Sequence, residues 1–427
     1  MPMSADFKNR LYPDLKDIVA HYETPFHIYD EIGIRETGRQ FTEAFETHAP
    51  FREYFAVKAL PNLRILAIMK DMGFGFDCSS IPELVLSRMA GGRGEDIMFT
   101  SNNTTREEFA AAQAEGGSII NLDDISLVDK VEDPFPELIS FRYNPGPRRT
   151  GNAIIGNPAE SKYGVSHDQI VGAYQAAIQR GARRFGLHTM IASNELDYRN
   201  IVETTRMILD IAARVGRQTG IQFEFVNIGG GIGIPYQPDQ AVFNLEALAA
   251  DVEYLFLNFQ SVNGYRPGLS MECGRFMTGP HGALVTKAIN HKSIYREYIG
   301  VDACMSALMR PGMYGAYHHI TVPGRNHGTP IRVVDVVGAL CENNDKFAIQ
   351  RPLPEIQTND LLVIHDTGAH GHAMGFTYNG RLQPKELLLK ADGSVELIRR
   401  AQRLEDYLAT QVYDPDTYQP HGKSPAA

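Results

Sequence analysis

The feature that most constrains the fold is an alternation of short apolar segments with longer helical segments, which runs from about residue 50 to residue 285. The apolar segments are 54–58, 74–78, 97–101, 118–122, 139–143, 185–191, 224–229 and 269–273. Between them lie stretches such as 62–72, 81–90, 105–115, 167–180 and 196–218, where apolar residues recur every three or four positions. Eight strand and helix repeats over ~240 residues predict an α/β fold with a parallel (β/α)8 TIM barrel, because doubly wound sheets seldom run so long.

The sequence changes character on both sides of this region. Residues 24–31 predict a strand, and glycine and proline separate the apolar runs 284–289, 331–337, 361–364 and 385–389. This pattern predicts short antiparallel strands of a second β domain, built from both ends of the chain. The predicted division is 1–37 for the N-terminal part of the β domain, 38–284 for the barrel and 285–427 for the C-terminal β domain.

Charge and cysteine usage exclude several functional classes. The net charge of −10 argues against a general nucleic-acid binder, because phosphate contacts need a basic face. The polar N-terminus does not resemble a signal peptide, and no apolar stretch approaches the ~18 residues of a membrane span, so we expect a cytoplasmic protein without a membrane partner. Cys78, Cys273, Cys304 and Cys341 include no C-x-x-C pair, which favours reduced thiols over disulfides or structural zinc.

Polar residues and glycines gather where the predicted barrel strands end. They are Lys58, Asp77, Asn102, Asp123, Arg142, His188, the glycines 229–231, Glu272 and Arg275. The carboxyl ends of the strands are the end of a TIM barrel where active sites lie. So many polar groups on one rim predict a single site.

Lys58 stands at the end of an apolar run, in EYFAVKALPN. One interpretation is a lysine whose stem packs while its ammonium group reaches water. The other is a lysine with a lowered pKa that forms a Schiff base with an aldehyde. Asp77, on the next predicted strand, would either orient that group or simply begin a turn.

A glycine cluster and an acid–arginine pair follow the last two predicted strands. The cluster VNIGGGIG (226–233) offers N–H groups to a phosphate, although a tight turn also explains it, and it lacks dinucleotide and P-loop spacing. Arg275 would donate two hydrogen bonds to a phosphate, and Glu272 would pair with a protonated ring nitrogen; the alternative is an ion pair between them. Together with Lys58, these groups meet the requirements of pyridoxal phosphate.

The motifs AVKA, FDCSSIPEL, ESKYG, NIGGG, ECGR, RPGMYGAYH, CENND and GAHGHAM occur in this order between about residues 25 and 400. The chain thereby resembles the fold type III, barrel-type pyridoxal phosphate-dependent decarboxylases, and diaminopimelate decarboxylase more than ornithine decarboxylase. The resemblance implies a carboxy-lyase of amino-acid biosynthesis that uses pyridoxal 5'-phosphate. It also implies a homodimer with shared active sites, and meso-diaminopimelate or a related diamino acid or amino diacid as the substrate.

The resemblance also implies a role for each matching residue. Lys58 would attach the cofactor covalently, Asp77 would lie beside it, and Glu272 would keep the ring nitrogen protonated. The implied phosphate contacts are Ser193, Gly230, Gly231 and Arg275, and the implied substrate contacts are Arg310, Tyr314 and Glu342. Cys341 would enter the neighbouring subunit's site as an acid; the alternative is an ordinary buried cysteine.

Two positions depart from the family. Met190 stands where the family has a histidine stacked on the cofactor ring, and a thioether can also pack on such a ring or simply fill the barrel core. His188, two residues earlier on the same strand face, is expected to compensate in part. His370 replaces a tyrosine that contacts the phosphate and the dimer partner in the family.

The sequence leaves other functions open. His365, His370 and His372 are spaced for a metal, but no cysteine or carboxylate completes the set, so we expect none. His318 and His319 are expected on a polar loop surface. The alternatives are a specialised biosynthetic decarboxylase of lysine, ornithine or another amino acid, or a non-catalytic homologue that binds a partner enzyme.

Overall fold

Two short helices precede the first strand. In the computed structural model, which describes residues 3–48, 50–149, 156–325 and 329–412, these are α1 (Ala5–Leu11) and α2 (Leu15–Tyr22). Strand β1 (Phe26–Asp30) and helix α3 (Glu31–Ala44) follow. Helices α1 and α2 were not predicted, because helices of seven and eight residues are too short to give a clear periodic pattern in the sequence.

Eight parallel strands close into a barrel in chain order. They are β2 (Phe51–Ala56), β3 (Gly75–Cys78), β4 (Ile97–Thr100), β5 (Ile119–Leu122), β6 (Leu138–Arg142), β7 (Arg184–His188), β8 (Phe225–Asn227) and β9 (Gly268–Met271). The surrounding helices are α4 (Leu63–Asp71), α5 (Ile81–Met89), α6 (Arg106–Gln113), α7 (Ile170–Gln179), α8 (Tyr198–Thr219), α9 (Leu245–Asn263) and α10 (Arg275–Thr278). The predicted fold class is confirmed, and each predicted barrel strand is present with its ends shifted by a few residues.

Apolar side chains fill the lower part of the barrel. Tyr54, Met98, Ile119 and Leu138 form a buried cluster, and Phe225 packs against it. Ile119, Leu138 and Phe225 begin their strands, Met98 is second in β4, and Tyr54 lies opposite Gly75, the first residue of β3. The barrel is therefore closed at that end, and its free space lies at the carboxyl ends, where the polar residues gather.

The second sheet combines both ends of the chain. Its further strands are β10 (Gly282–Ser293), β11 (Glu297–Val301), β12 (Ile320–Thr321), β13 (Ile331–Val337), β14 (Lys346–Pro354), β15 (Leu361–His365), β16 (Lys385–Leu389) and β17 (Val395–Arg399), with helices α11 (Arg310–Tyr314) and α12 (Leu404–Leu408). Strand β1 pairs antiparallel with β10 but parallel with β16, and β11 pairs parallel with β13. The sheet is therefore mixed, whereas we expected antiparallel strands alone. The domain boundaries near residues 38 and 284 stay a prediction.

Among the helices of the described ranges, none has the length and apolarity needed to cross a membrane.

Candidate active site

A cavity of about 340 Å³ opens at the carboxyl ends of the barrel strands. Its lining includes eleven residues predicted from the sequence: Lys58, Asp77, Asn102, Arg142, His188, Met190, Ser193, Gly231, Glu272, Arg275 and His370. Parallel barrel strands all end at this rim, so residues far apart in sequence meet there. The sequence prediction of one shared site therefore has a physical counterpart in this cavity.

Lys58 lies in a short 3-10 turn directly after β2, and its side chain is 52% exposed, with the cavity around it. Its Nζ lies 3.1 Å from Oδ2 of the buried Asp77. The attraction of the Asp77 carboxylate outweighs burial and raises the pKa of Lys58. The lowered pKa that belonged to the Schiff-base interpretation of Lys58 is therefore not found, because the sequence did not show how close the Asp77 carboxylate lies.

The Asp77 carboxyl group is incompletely paired. Its Oδ1 is buried and has no hydrogen-bond partner within the described part of the chain. Burial and the nearby Glu272 carboxylate both raise the pKa of Asp77, although Lys58 opposes them. Asp77 therefore holds the Lys58 ammonium through Oδ2 and keeps Oδ1 available to a bound ligand.

Glu272 follows β9 and receives two nitrogen contacts. Its Oε1 accepts a hydrogen bond of 2.8 Å from Asn227 Nδ2, and its Oε2 lies 3.3 Å from His188 Nε2. Burial opposes ionisation, but His188, Lys58 and Arg142 outweigh it and lower the pKa of Glu272. Glu272 is therefore an ionised carboxylate at the cavity, suited to a cationic ring nitrogen.

The glycines after β8 are required by close backbone packing. A Cβ atom on Gly229 would lie 2.5 Å from the carbonyl oxygen of Thr189, and one on Gly230 would lie 2.1 Å from that of Glu272. Gly229 also has a positive φ of 75°, which favours glycine. We expected glycine here so that an anion could approach; in the structure, the neighbouring backbone fills the space where side chains would stand.

Met190 contacts this glycine turn. The N–H of Gly230 donates to Met190 Sδ at 3.3 Å and is therefore already paired with the thioether. Gly230 is also not part of the cavity lining. Gly231 and Ser193 do line the cavity. Of the two glycines predicted to bind a phosphate, Gly231 is therefore the better placed.

Two arginines flank Tyr236. Arg275 donates to the Tyr236 hydroxyl at 2.6 Å, and the Arg310 guanidinium lies 4.6 Å from the centre of the tyrosine ring. Arg310 Nη1 also lies 2.9 Å from Nε2 of His318, which is fully buried. The expectation that His318 lies on the surface is therefore wrong, because it packs edge-on against Tyr236.

Neither Arg275 nor Arg310 forms an ion pair with a carboxylate of the described residues. This excludes the alternative in which Glu272 and Arg275 pair with each other. A half-buried or buried guanidinium group without a carboxylate partner is suited to bind an anion.

His370 closes the cavity from the second sheet. Its φ is 55°, and its N–H donates to the carbonyl oxygen of Ala59 at 2.8 Å, next to the Lys58 turn. Burial, together with the positive charges of Arg275, Arg310 and Lys58, lowers the pKa of His370 well below its usual value. These effects favour the neutral imidazole.

A buried ion pair forms another part of the wall. Arg142 Nε lies 2.7 Å from Asp123 Oδ1, and Arg142 Nη2 donates to Asn102 Oδ1 at 2.9 Å. The guanidinium also lies 5.1 Å from the centre of the Tyr163 ring. These strand-end residues thus stabilise one another and shape the cavity.

The remaining candidates lie outside this cavity. Cys341 and Glu342 are exposed and line a surface groove of about 570 Å³, and Tyr314 is 62% exposed. The exposure of Cys341 excludes the interpretation as a buried structural cysteine. One copy of the chain therefore does not bring these three residues to Lys58.

Asn121, Asn227 and Tyr236 were missed as site residues. Asn121 and Asn227 stand inside the apolar runs SIINL and EFVNIG, and both are buried in the structure. A buried polar side chain in an apolar strand needs a hydrogen-bond partner, and that signal could have identified them. For Tyr236, in a loop, we find no comparable signal.

The residues of the cavity fit a phosphorylated pyridine aldehyde. Lys58 supplies an amine, Glu272 an ionised acid for a ring nitrogen, and Arg275 a cation for the phosphate. The buried, unpaired Asp77 Oδ1 is a polar atom that a bound ligand would satisfy. The cavity is also within the size range of small-molecule sites.

Comparisons with known proteins agree with this chemistry. The family model for the pyridoxal-binding domain of pyridoxal-dependent decarboxylases matches residues 32–279. Among curated proteins, Protein TabA of Pseudomonas amygdali pv. tabaci is 47% identical over 98% of this chain and 99% of its own length. Diaminopimelate decarboxylase of Methanothermobacter thermautotrophicus is 36% identical over 93% of this chain and 94% of its own length.

A solved structure extends the likeness to the whole fold. The crystal structure of diaminopimelate decarboxylase from M. jannaschii, in complex with L-lysine, superposes with a TM-score of 0.86 at 28% identity. The match covers 94% of each chain. The similarity therefore includes the barrel and the second sheet.

Proposed function

The chain belongs to the pyridoxal-dependent decarboxylases, and from this premise we propose that it removes carbon dioxide from meso-diaminopimelate or a related diamino acid or amino diacid. Like its relatives, it is a carboxy-lyase that uses pyridoxal 5'-phosphate. The observation that carries the proposal is the meeting of Lys58, Glu272 and Arg275 around one cavity. The L-lysine in the similar M. jannaschii structure also supports a diamino acid substrate.

The proposed cofactor contacts follow from the cavity lining. Lys58 would attach the cofactor, Arg275, Ser193 and Gly231 would hold its phosphate, and Glu272 would face its ring nitrogen. Pyridoxal phosphate, when bound, supplies an electron sink for the bond that breaks at the amino acid Cα. Met190 and His370 would contact it where relatives use histidine and tyrosine.

The proposed proton movements use Lys58, Asp77 and Cys341. Lys58 Nζ must lose a proton before it can act as a nucleophile, and Asp77 Oδ2, at 3.1 Å, can accept it. After carbon dioxide leaves, Cα needs a proton, which either Lys58 Nζ or the Cys341 thiol of a second subunit would supply. Glu272 remains ionised throughout.

We expect Arg310 to recognise a carboxylate at the far end of the substrate, together with Tyr314. Replacing Arg310 with methionine should lower kcat/KM for diaminopimelate by about 100-fold, because a buried group that pairs with a charge contributes strongly to discrimination. The preference for diaminopimelate over lysine should fall by the same factor. Carbon dioxide release from both amino acids measures this, and an unchanged preference would remove Arg310 from the substrate site.

Two alternatives remain as proposals. A specialised biosynthetic decarboxylase of lysine, ornithine or another amino acid is favoured by the replacements at Met190 and His370 and by the similarity to Protein TabA. A non-catalytic homologue that binds a partner enzyme would need no cofactor chemistry. A screen of amino acids for carbon dioxide release separates these cases, and release from none of them would leave only the non-catalytic homologue.

We also propose that two copies form a homodimer in the cytoplasm, with Cys341 and Glu342 completing the partner's site. The groove that contains Cys341 is also lined by Ile289, Ile294 and Leu340. Ile289 and Ile294 are exposed apolar residues, and such side chains around a groove favour a protein interface. A second copy is the natural occupant, because one chain leaves Cys341 outside the Lys58 cavity.

Mixing two inactive variants tests the shared site. Lys58→Ala and Cys341→Ser each disable one half of a site, so an exchanged heterodimer would contain one intact site. An equal mixture should regain about a quarter of wild-type activity, since half of randomly paired dimers carry one good site of two. Carbon dioxide release after subunit exchange measures the recovery.

The matched control mixes Lys58→Ala with Glu272→Gln. Both changes affect the same half of the site, so no heterodimer contains an intact one and activity should stay low. If the first mixture recovers no more than this control, Cys341 does not complete the partner's site.

A further inference from the structure

Buried polar contacts hold the Glu272 carboxylate in place, and the proposed role of Glu272 does not by itself explain them. Asn227 Nδ2 donates to its Oε1 at 2.8 Å, and His188 Nε2 lies 3.3 Å from its Oε2 in a close contact that lacks hydrogen-bond geometry. Asn227 is completely buried, and its Oδ1 also accepts the N–H of Gly229 at 2.8 Å. The carboxylate is therefore fixed to the barrel strands and to the start of the glycine turn.

His188 is held in turn by Asn121. Asn121 Nδ2 lies 2.8 Å from His188 Nδ1, and the same nitrogen donates to Thr100 Oγ1 at 3.2 Å. Because an amide nitrogen is only a donor, His188 Nδ1 acts as the acceptor. The ring proton of His188 then resides on Nε2, the nitrogen on the side of Glu272.

The position of His188 differs from that of a ring-stacking residue. Its side chain is only 1% exposed, and both ring nitrogens already have polar neighbours in the barrel. Its contacts therefore point to the acid rather than to the face of a bound ring. The partial compensation for Met190 that we expected from the sequence stays a prediction, and these contacts indicate a further role for His188.

We propose that His188 is a positioning residue, whose Nε2–H holds the Glu272 carboxylate ionised and aligned for the ring nitrogen of the cofactor, while Asn121 selects the required tautomer. This inference rests on the role of Glu272 in the proposed function. It gives a role to Asn121 on β5 and His188 on β7, which would act on the ring nitrogen only through Glu272.

Other charged groups near Glu272 also affect its ionisation, so the test must distinguish their effect from that of His188. Lys58 and Arg142 favour its ionised form, whereas the carboxyl groups of Asp77 and Glu53 lie near enough to oppose it. All four remain when only His188 is changed. An effect that requires the donor at His188 Nε2 can therefore be distinguished from the general electrostatics of the site.

The experiment compares wild type, His188→Ala and His188→Gln as holoenzymes that contain pyridoxal phosphate labelled with 15N in the ring. Glutamine can place an N–H donor near the position of Nε2, whereas alanine cannot. The 15N chemical shift of the ring nitrogen reports its protonation between about pH 6 and pH 9, and kcat is measured on the same samples. His281→Ala, which removes another buried histidine that does not line the cavity, is the control for general destabilisation.

We expect the wild-type ring nitrogen to stay protonated across this range. In His188→Ala the titration midpoint of the ring nitrogen should fall by about one pH unit or more, which is a tenfold lower proton affinity. The kcat of this variant should also fall by about tenfold. His188→Gln should restore part of the shift and of the kcat lost in His188→Ala, and His281→Ala should resemble wild type. Asn121→Ala should shift the midpoint in the same direction by a smaller amount, and it carries the test if His188→Ala does not fold.

The inference is overturned if the ring nitrogen titrates alike in wild type and His188→Ala, or if His188→Gln behaves as His188→Ala. In the case where His188→Ala does not fold, an unshifted midpoint in Asn121→Ala overturns it. Failure of the proposed function looks different, because wild type itself would then show no cofactor bound through Lys58.

Discussion

Lys58→Ala is expected to lower kcat for decarboxylation by about 10³-fold or more, because it removes the nucleophile that attaches the cofactor. No other described lysine lines the cavity, so no neighbouring amine can take over this role. The purified variant should also lose the visible absorption band that reports a covalently bound cofactor. Carbon dioxide release and absorbance, before and after borohydride reduction, measure the two effects.

The control for this prediction is Lys70→Ala. Lys70 lies on α4 and pairs with Asp96 at 2.6 Å, and it does not line the cavity. Its replacement should leave both the band and the activity close to wild type. A Lys58→Ala enzyme that keeps the band or turns over at the wild-type rate would contradict the central assignment of the site.

The convergence of the site residues could be predicted from the sequence because it follows from topology. Once eight parallel strands close a barrel, their carboxyl ends must share one rim, whatever the packing details. Asp77 and Glu272 could thus be assigned to one site although almost 200 positions separate them. Lys58 lies in a 3-10 turn just after β2 rather than in the strand, but such small differences at a strand end leave the residue on the same rim.

Pairwise distances could not be predicted in the same way. The raised pKa of Lys58 depends on an Asp77 oxygen at 3.1 Å, and the contact between His188 and Glu272 depends on side-chain rotamers. Strand alternation placed His188 and Met190 on one face, but it did not show which of them would turn toward the acid. Such choices depend on three-dimensional packing among strands that are distant in sequence.

The proposed contact of Cys341 and Glu342 with a second copy of the chain could not be predicted from sequence patterns. Cys341 and Glu342 were assigned through the family resemblance, and in one chain both are exposed, away from Lys58. No periodicity or spacing reveals a contact that only a partner chain would complete. Their roles therefore depend on the mixing experiment rather than on the fold.

Glu272→Gln is expected to lower kcat by about 10² to 10³-fold while the cofactor stays attached to Lys58. The change keeps the shape of the side chain but removes the negative charge that would stabilise a protonated ring nitrogen, and charges placed for a transition state contribute effects of this size. The visible band should therefore persist, in contrast to Lys58→Ala. Rapid-mixing spectroscopy with substrate and carbon dioxide release together measure the difference.

Glu53→Gln provides a closely matched control. Glu53 is another buried carboxyl group on the barrel, and its Oε1 accepts the N–H of Cys273 at 2.6 Å. Burial raises its pKa well above the usual value and so favours the uncharged form, which an amide replaces with little electrostatic change. We expect near wild-type kcat for Glu53→Gln; equal losses in the two variants would show that carboxyl packing, rather than the charge of Glu272, supports the reaction.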